Sequence, residues 1–312
     1  MQTKERNTNL DELFFSVISQ DIFTKIGASD KLLKIPGKQV LINASNNTPI
    51  SVVSDDYEIV TNKDAYGYGS DCMKELFKLK KDENIEIFNI IRPSTLSFCH
   101  MDLVCPTKKF EYKKEKFMPF VRITNSYNKL FKLYFRIGIC RSICENGMIF
   151  GEDSIKFSFN HMKGKNDKVH FDINSDDFER ILDKFKSEIE ILMENKFDFE
   201  YSVPMVYKGL GIKPNIDVKT KKQREFIVNL ENKISDLLKI YRMSLGDNFY
   251  SIYNIITDIS SRGIEDESLL ITKIHSRQAR AGRWMSYISN ELRNERFVYD
   301  EYLEDYLKLR KN

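Results

Sequence analysis

FKLYFRIGICR, residues 131–141, alternates without interruption: Phe131, Leu133, Phe135, Ile137 and Ile139 stand at odd positions, with Lys132, Tyr134, Arg136, Gly138 and Cys140 between them. Successive side chains of a strand point to opposite faces, so this period of two predicts a strand with one buried face. The pattern breaks at its end. Continued, it puts Arg141 on the apolar side, with Ile143 beyond it. Either a bulge returns Arg141 to solvent, or the guanidinium is buried and needs a carboxylate or phosphate partner. The overlapping stretch RSICENGMIF (141–150) contains Asn146-Gly147. That pair tolerates the positive φ of a tight hairpin, which predicts the reversal of the chain there.

The surrounding sequence has the same character. Short β-branched runs at 40–42, 50–53 and 57–60 are separated by turn-forming residues, and further strands are expected at 85–91, 95–104, 119–127, 148–150 and 154–161. One helix is predicted over 63–79, with Asn62 as its N-cap. Beyond Asp172 the period lengthens. Phe178, Ile181, Leu182, Phe185, Ile189 and Leu192 recur at helical spacing after Ser175, and so do Ile227 to Tyr241 and Phe249 to Ile259. Helices are also expected over 267–292 and 299–309, and a loop over 208–222. An antiparallel, strand-rich N-terminal half followed by a helical C-terminal half makes an α+β protein. The expected division is a β-rich domain at 1–172 and a mainly helical region at 173–312.

Composition narrows the function classes. At 41 % hydrophobic and 30 % charged residues, the 312-residue chain can fill about two ordinary cores and remain soluble. No apolar stretch approaches the ~20 residues that cross a bilayer, so no membrane partner is expected. The start, MQTKERNTNLDELFF, lacks the apolar run of a signal peptide. Five cysteines, an odd number, suit reduced thiols and a cytoplasmic setting. A net charge of +3 leaves nucleic acid open as a partner, since a local patch matters more than the total.

Catalytic templates are scarce. The sequence holds no P-loop, HExxH or GxSxG, and Gly209-Leu210-Gly211 stops short of GxGxxG. No catalytic residue, metal ligand or cofactor is therefore assigned. Cys140 and Cys144, four apart on a strand, would sit roughly 13 Å from each other, too far for a disulfide or a shared metal without a sharp reversal. Cys99-His100 and Cys105 lack the spacing of a zinc knuckle, and small buried hydrophobes are the better account of these thiols. Asp102 followed by Glu111 and Lys113 is the kind of set some Mg²⁺-dependent nucleases use, which makes a nuclease the third-ranked expectation.

Basic segments carry more. Lys108, Lys109, Lys113, Lys114 and Lys116 are interleaved with Phe110, Tyr112 and Phe117. Cations that follow a backbone, with rings on which bases stack, form the physical recipe for a single-stranded nucleic acid. A second cluster is Lys219, Lys221, Lys222 and Arg224. A third is Arg277, Arg280 and Arg283, three apart on a predicted helix with His275 nearby. Charge runs also simply solvate a face, and Glu111 and Glu115 dilute the first patch.

Three stretches also form a recognisable series: PISVVSDDYEIVTNKDAY (49–66), FVRITNSYNKLFKLYFRIGICRSICENGMIF (120–150) and FYSIYNIITDISSR (249–262). Together they resemble the phage- and plasmid-borne family known as domain of unknown function 932. The matching positions are Val52, Val53, Ser54, Tyr57, Val60 and Asn62; then Asn125, Ser126, Arg141, Cys144, Asn146 and Gly147; then Asn254 and Thr257. The resemblance implies a mobile-element origin, hence DNA recombination or replication accessories, or proteins that blunt host defences, in the host cytoplasm. The expectation is a non-catalytic, homo-oligomeric, DNA-binding protein of the single-strand-annealing kind. Its contacts would come from Lys108, Lys109, Tyr112, Lys113, Lys114, Lys116, Arg136, Arg141, Arg277, Arg280 and Arg283. The alternative is a protein that binds and inhibits a host protein through its helical half.

Overall fold

The computed structural model describes residues 10–25, 27, 31–141, 146–149, 156–159, 161, 175–213, 220–264 and 273–307. Ile143, Cys144, Phe150 and Lys219 lie outside them. So do the outer parts of the expected elements at 154–161, 267–292 and 299–309.

The elements follow in order as α1 (Leu10–Leu13), β1 (Val17–Lys25), β2 (Leu32–Asn43), β3 (Thr48–Ser54), α2 (Asn62–Leu76), β4 (Glu86–Ile91), β5 (Phe98–Val104), β6 (Phe110–Tyr112), β7 (Glu115–Ser126), β8 (Leu133–Arg141), β9 (Asn146–Ile149) and β10 (Lys156–Phe159). Helices then take over: α3 (Ser175–Glu194), α4 (Ser202–Leu210), α5 (Lys221–Leu245), α6 (Phe249–Arg262), α7 (Ile274–Arg293), α8 (Tyr299–Tyr302) and α9 (Glu304–Leu307). The protein is thus α+β, with antiparallel sheets in its N-terminal half and helices in its C-terminal half. No helix among the described residues is long and apolar enough to cross a membrane.

Two compact units interleave along the chain. The first comprises Met1–Lys108, Phe120–Ile137 and Ile155–Ser175; the second comprises Lys109–Pro119, Gly138–Ser154 and Asp176–Asn312. Strands β7 and β8 each begin in one unit and end in the other.

In the first unit, β1, β2 and β3 form a three-stranded sheet, and the ends of β1 and β2 extend beyond β3 as a two-stranded arm. The arm was not visible as strands in the sequence, because most of its residues are exposed on both faces and show no alternation. Helix α2 is capped by Thr61 rather than by Asn62: the Thr61 hydroxyl accepts from the Asp64 N–H while Asp64 accepts from the Thr61 N–H, a capping box. Asn62 is freed for a buried knot. Its N–H donates to the Tyr127 hydroxyl at 3.0 Å, its Oδ1 accepts from Asn125 at 3.0 Å, and Tyr57 OH donates to Ser126 O at 2.6 Å. Residues 57–60, expected as a strand, contribute to this knot instead and form only a single bridge at Tyr57.

The larger sheet has the order β10-β8-β7-β5-β4, with β6 added to β7 and β9 to β8. Its β8–β9 register sets Arg141 opposite Asn146 and Cys140 opposite Gly147. Asn146-Gly147 is therefore inside a strand, β9, and not a turn. The pairing of β9 with β8 outweighed the turn chemistry of that pair.

In the second unit, Phe117 and Ile139 join Phe185, Ile189, Leu230, Ile234, Ile252, Ile256, Trp284 and Ile288 in one continuous core. Gly209 allows α4 to approach α6 closely, since a Cβ there would come within 2.4 Å of Ile256 Cδ1. Helix α4 was not anticipated, and its last three residues, 208–210, fall in the stretch expected as a loop. Its nine residues include Pro204 and Gly209 and are too short to show a period.

Candidate nucleic-acid interface

Helix α7 turns its apolar side, Ile274, Ala281, Met285 and Ile288, into the core of the second unit. At 100° per residue, Lys273, Arg277, Arg280 and Arg283 fall within about a third of a turn, adjoining that apolar side. That row spans roughly 15 Å along the helix. Two clefts open along it and share Arg280. One, of about 360 Å³, is lined by Lys273, Arg277 and Arg280 together with the apolar side chains of Ile212, Phe226 and Ile264. The other, of about 510 Å³, brings Lys208, Arg283 and Arg296 together with the rings of Trp284, Tyr287 and Tyr302.

The cations in these clefts are not equivalent. Arg280 has structural work at the end of α4. Its Nη1 lies 3.4 Å from Leu210 O, on the carbonyls that a helix C-terminus leaves exposed. Gly211 makes room for it: the residue adopts φ +66°, and a Cβ there would fall 1.0 Å from Nη1. Lys208 donates to Tyr302 O and sits 3.9 Å from the Tyr302 ring centroid. Burial lowers its pKa, partly offset by Asp305. Arg283 and Arg296 are both exposed and form no ion pair among the described residues. Tyr287, half exposed, stacks on Tyr302 with centroids 5.4 Å apart at 24°. This places a solvent-facing aromatic surface beside two uncommitted guanidiniums.

The lysine-rich segment divides differently. Lys113 and Lys114 form the two-residue turn of the β6–β7 hairpin, both at positive φ (49° and 66°). Lys113 Nζ pairs with Glu190 at 2.6 Å, which holds that carboxylate below its usual range. Lys108 Nζ lies 3.3 Å from Glu83. Phe110 stacks on Phe117, and Phe117 meets Phe185 edge-on, so these rings anchor the hairpin to the core rather than offering faces to bases. Tyr112 is half-buried against the same core. Lys109, Lys114 and Lys116 are exposed. In the second cluster, Lys221, Lys222 and Arg224 are exposed at the start of α5, and Lys221 pairs with Glu225.

The two sheet arginines also part company. Arg136 is half-buried, its guanidinium 5.5 Å from the Tyr134 ring. Arg141 continues the strand alternation onto the buried side, the second of the two alternatives left open by the sequence. It is 4 % exposed, its Nε donates to Glu115, and its Nη1 lies 3.4 Å from Asn254 Oδ1. Its partner is a carboxylate, so it is unavailable to a backbone phosphate.

Of the expected nuclease set, Glu111 is exposed and Lys113 is paired with Glu190, while Asp102 is engaged much as Arg141 is. Asp102 stands opposite Arg122 in the β5–β7 register, and its two oxygens accept from Arg122 at 2.5 and 2.6 Å. The pair is buried, so Asp102 is a structural counter-ion rather than a metal ligand. Cys99 and His100, adjacent on β5, point to opposite faces of the sheet and cannot share a metal. His100 Nδ1 is 2.7 Å from Thr124 Oγ1, and burial pushes the Cys99 thiol up to about 12. Among the described residues, no three His, Cys, Asp or Glu side chains are grouped to hold a metal ion.

Arg277, Arg280 and Arg283 are thus the sequence-derived candidates that the fold collects into clefts. Lys208, Arg296, Tyr287, Trp284 and Tyr302 join them without having been named from sequence. Tyr287, one turn beyond Arg283 on the same helix, carried a usable signal; Lys208 and Arg296 are too distant along the chain to have shown one. Comparisons of this chain with protein-family models, with curated proteins and with solved structures match nothing.

Proposed function

We propose that the protein binds single-stranded nucleic acid without catalysing a reaction on it, using the basic face of α7. The observation that carries this proposal is the row Lys273, Arg277, Arg280 and Arg283, which runs past two clefts and ends beside stacked tyrosines. Cations neutralise the backbone and rings take bases, the latter worth about 1–3 kcal/mol per base. Binding of this kind is tolerant of sequence, which suits a recombination or replication accessory. The mobile-element setting implied by the resemblance is compatible with that role. Charge reversal at Arg277 and Arg283 tests it: the double variant should lose at least tenfold in affinity for oligo-dT at low salt. Unchanged affinity would move the interface elsewhere.

A second proposal, the binding of a host protein, draws on the β1–β2 arm. Phe23, Leu32 and Leu33 are about half exposed there, and an isolated two-stranded hairpin is marginal in water without a covering surface. Phe23→Ser with Leu33→Ser would then abolish a stoichiometric protein complex while leaving oligo-dT binding intact.

A further inference from the structure

We infer that the larger cleft recognises a nucleotide phosphate monoester, so that the site is selective for the phosphorylated end of a strand. The inference rests on the proposed nucleic-acid function for taking that phosphate to be a nucleotide's. The row of cations on α7 stops at Arg283, and the cleft lies at that end. There Arg296, from beyond the helix, meets the row together with Lys208 of α4. Four cations face two carboxylates, Glu291 and Glu301, within the lining. An excess of two positive charges matches a phosphate monoester, which carries −1.5 to −2 near neutral pH, better than the single charge of an internal phosphodiester.

The division of labour in the cleft points the same way. Arg280 is engaged by the end of α4 and Lys208 by Tyr302, which leaves Arg283 and Arg296 uncommitted. Planar guanidiniums suit the three acceptor oxygens of a monoester, to which they can donate in pairs. The Tyr287–Tyr302 stack gives the terminal base a surface beside that phosphate. A cleft of about 510 Å³ is in the range that encloses one small ligand.

The only tryptophan of the chain, Trp284, lines this cleft and reports directly on occupancy. Full-length protein is titrated with oligo-dT bearing a 5′-phosphate, a 3′-phosphate or only hydroxyl ends, and with thymidine monophosphate, following Trp284 fluorescence. The expected result is about tenfold tighter binding of one phosphorylated end than of the hydroxyl-ended strand, with a fluorescence change. The Arg283→Gln, Arg296→Gln double variant, altered only at exposed positions, should bind all three strands like the hydroxyl-ended one. Equal affinities for all three strands overturn the inference and leave strand binding standing. Thymidine monophosphate binding without any strand binding supports the monoester site and overturns strand binding; no binding of any ligand overturns both.

Discussion

Arg141 and Glu115 form an enclosed ion pair, with side chains only 5 % and 12 % exposed, and the Arg141 Nε donates to the carboxylate. They sit on neighbouring strands, β8 and β7, and the Tyr241 ring lies 6.0 Å from the guanidinium. Removing one member leaves the other charged and buried. Glu115→Ala should cost about 3–5 kcal/mol in urea denaturation, and Arg141→Met a comparable amount, whereas the Glu115→Leu, Arg141→Met pair should cost clearly less than the sum. Additive losses would show that the two charges do not depend on each other.

His100 carries a pH dependence. Burial, with the nearby Arg122 adding to it, pushes its pKa down from 6.5 to about 3. The folded state therefore binds fewer protons than the unfolded state between those values, and stability falls as pH drops from 6.5 towards 3. His100→Gln can keep a hydrogen bond to Thr124 without titrating. Its loss of stability over the same interval should be shallower than that of the wild type, by calorimetry or denaturant titration at successive pH values. Parallel curves would contradict a neutral buried imidazole.

The turn of the β6–β7 hairpin should improve on mutation. Lys114 holds φ +66° with a full side chain, exposed and away from the Lys113–Glu190 pair. Lys114→Gly relieves a left-handed strain of order 1–2 kcal/mol and gives part of it back in chain entropy, for a net gain of roughly 1 kcal/mol. Oligo-dT affinity should stay within about twofold, because the proposed interface is α7 rather than this hairpin. A large loss of affinity would restore the hairpin as the contact surface.

How much was legible in the sequence follows from the range of the forces involved. The alternation of 131–139 reports burial directly, so β8 and the misfit at Arg141 were visible. Glu115, its partner, is 26 residues away and nothing local announces it. The helical periods of α3, α5 and α6 were clear because each buries a wide apolar stripe; α4 is too short to do so. The β1–β2 arm was missed because it has no buried face to impose a pattern. The arginine spacing on α7 was readable, but the clefts beside it need Lys208 and Arg296, brought in by tertiary folding.

The salt dependence of strand binding tests the central claim most directly. Each phosphate neutralised on a single strand contributes a slope of about −0.7 to log K against log salt. Contacts from Lys273, Arg277, Arg280 and Arg283 thus predict a slope near −3 for oligo-dT, reduced by about 0.7 in Arg283→Gln. A measured slope near zero, or one that the substitution leaves unchanged, would contradict nucleic-acid binding by the α7 face.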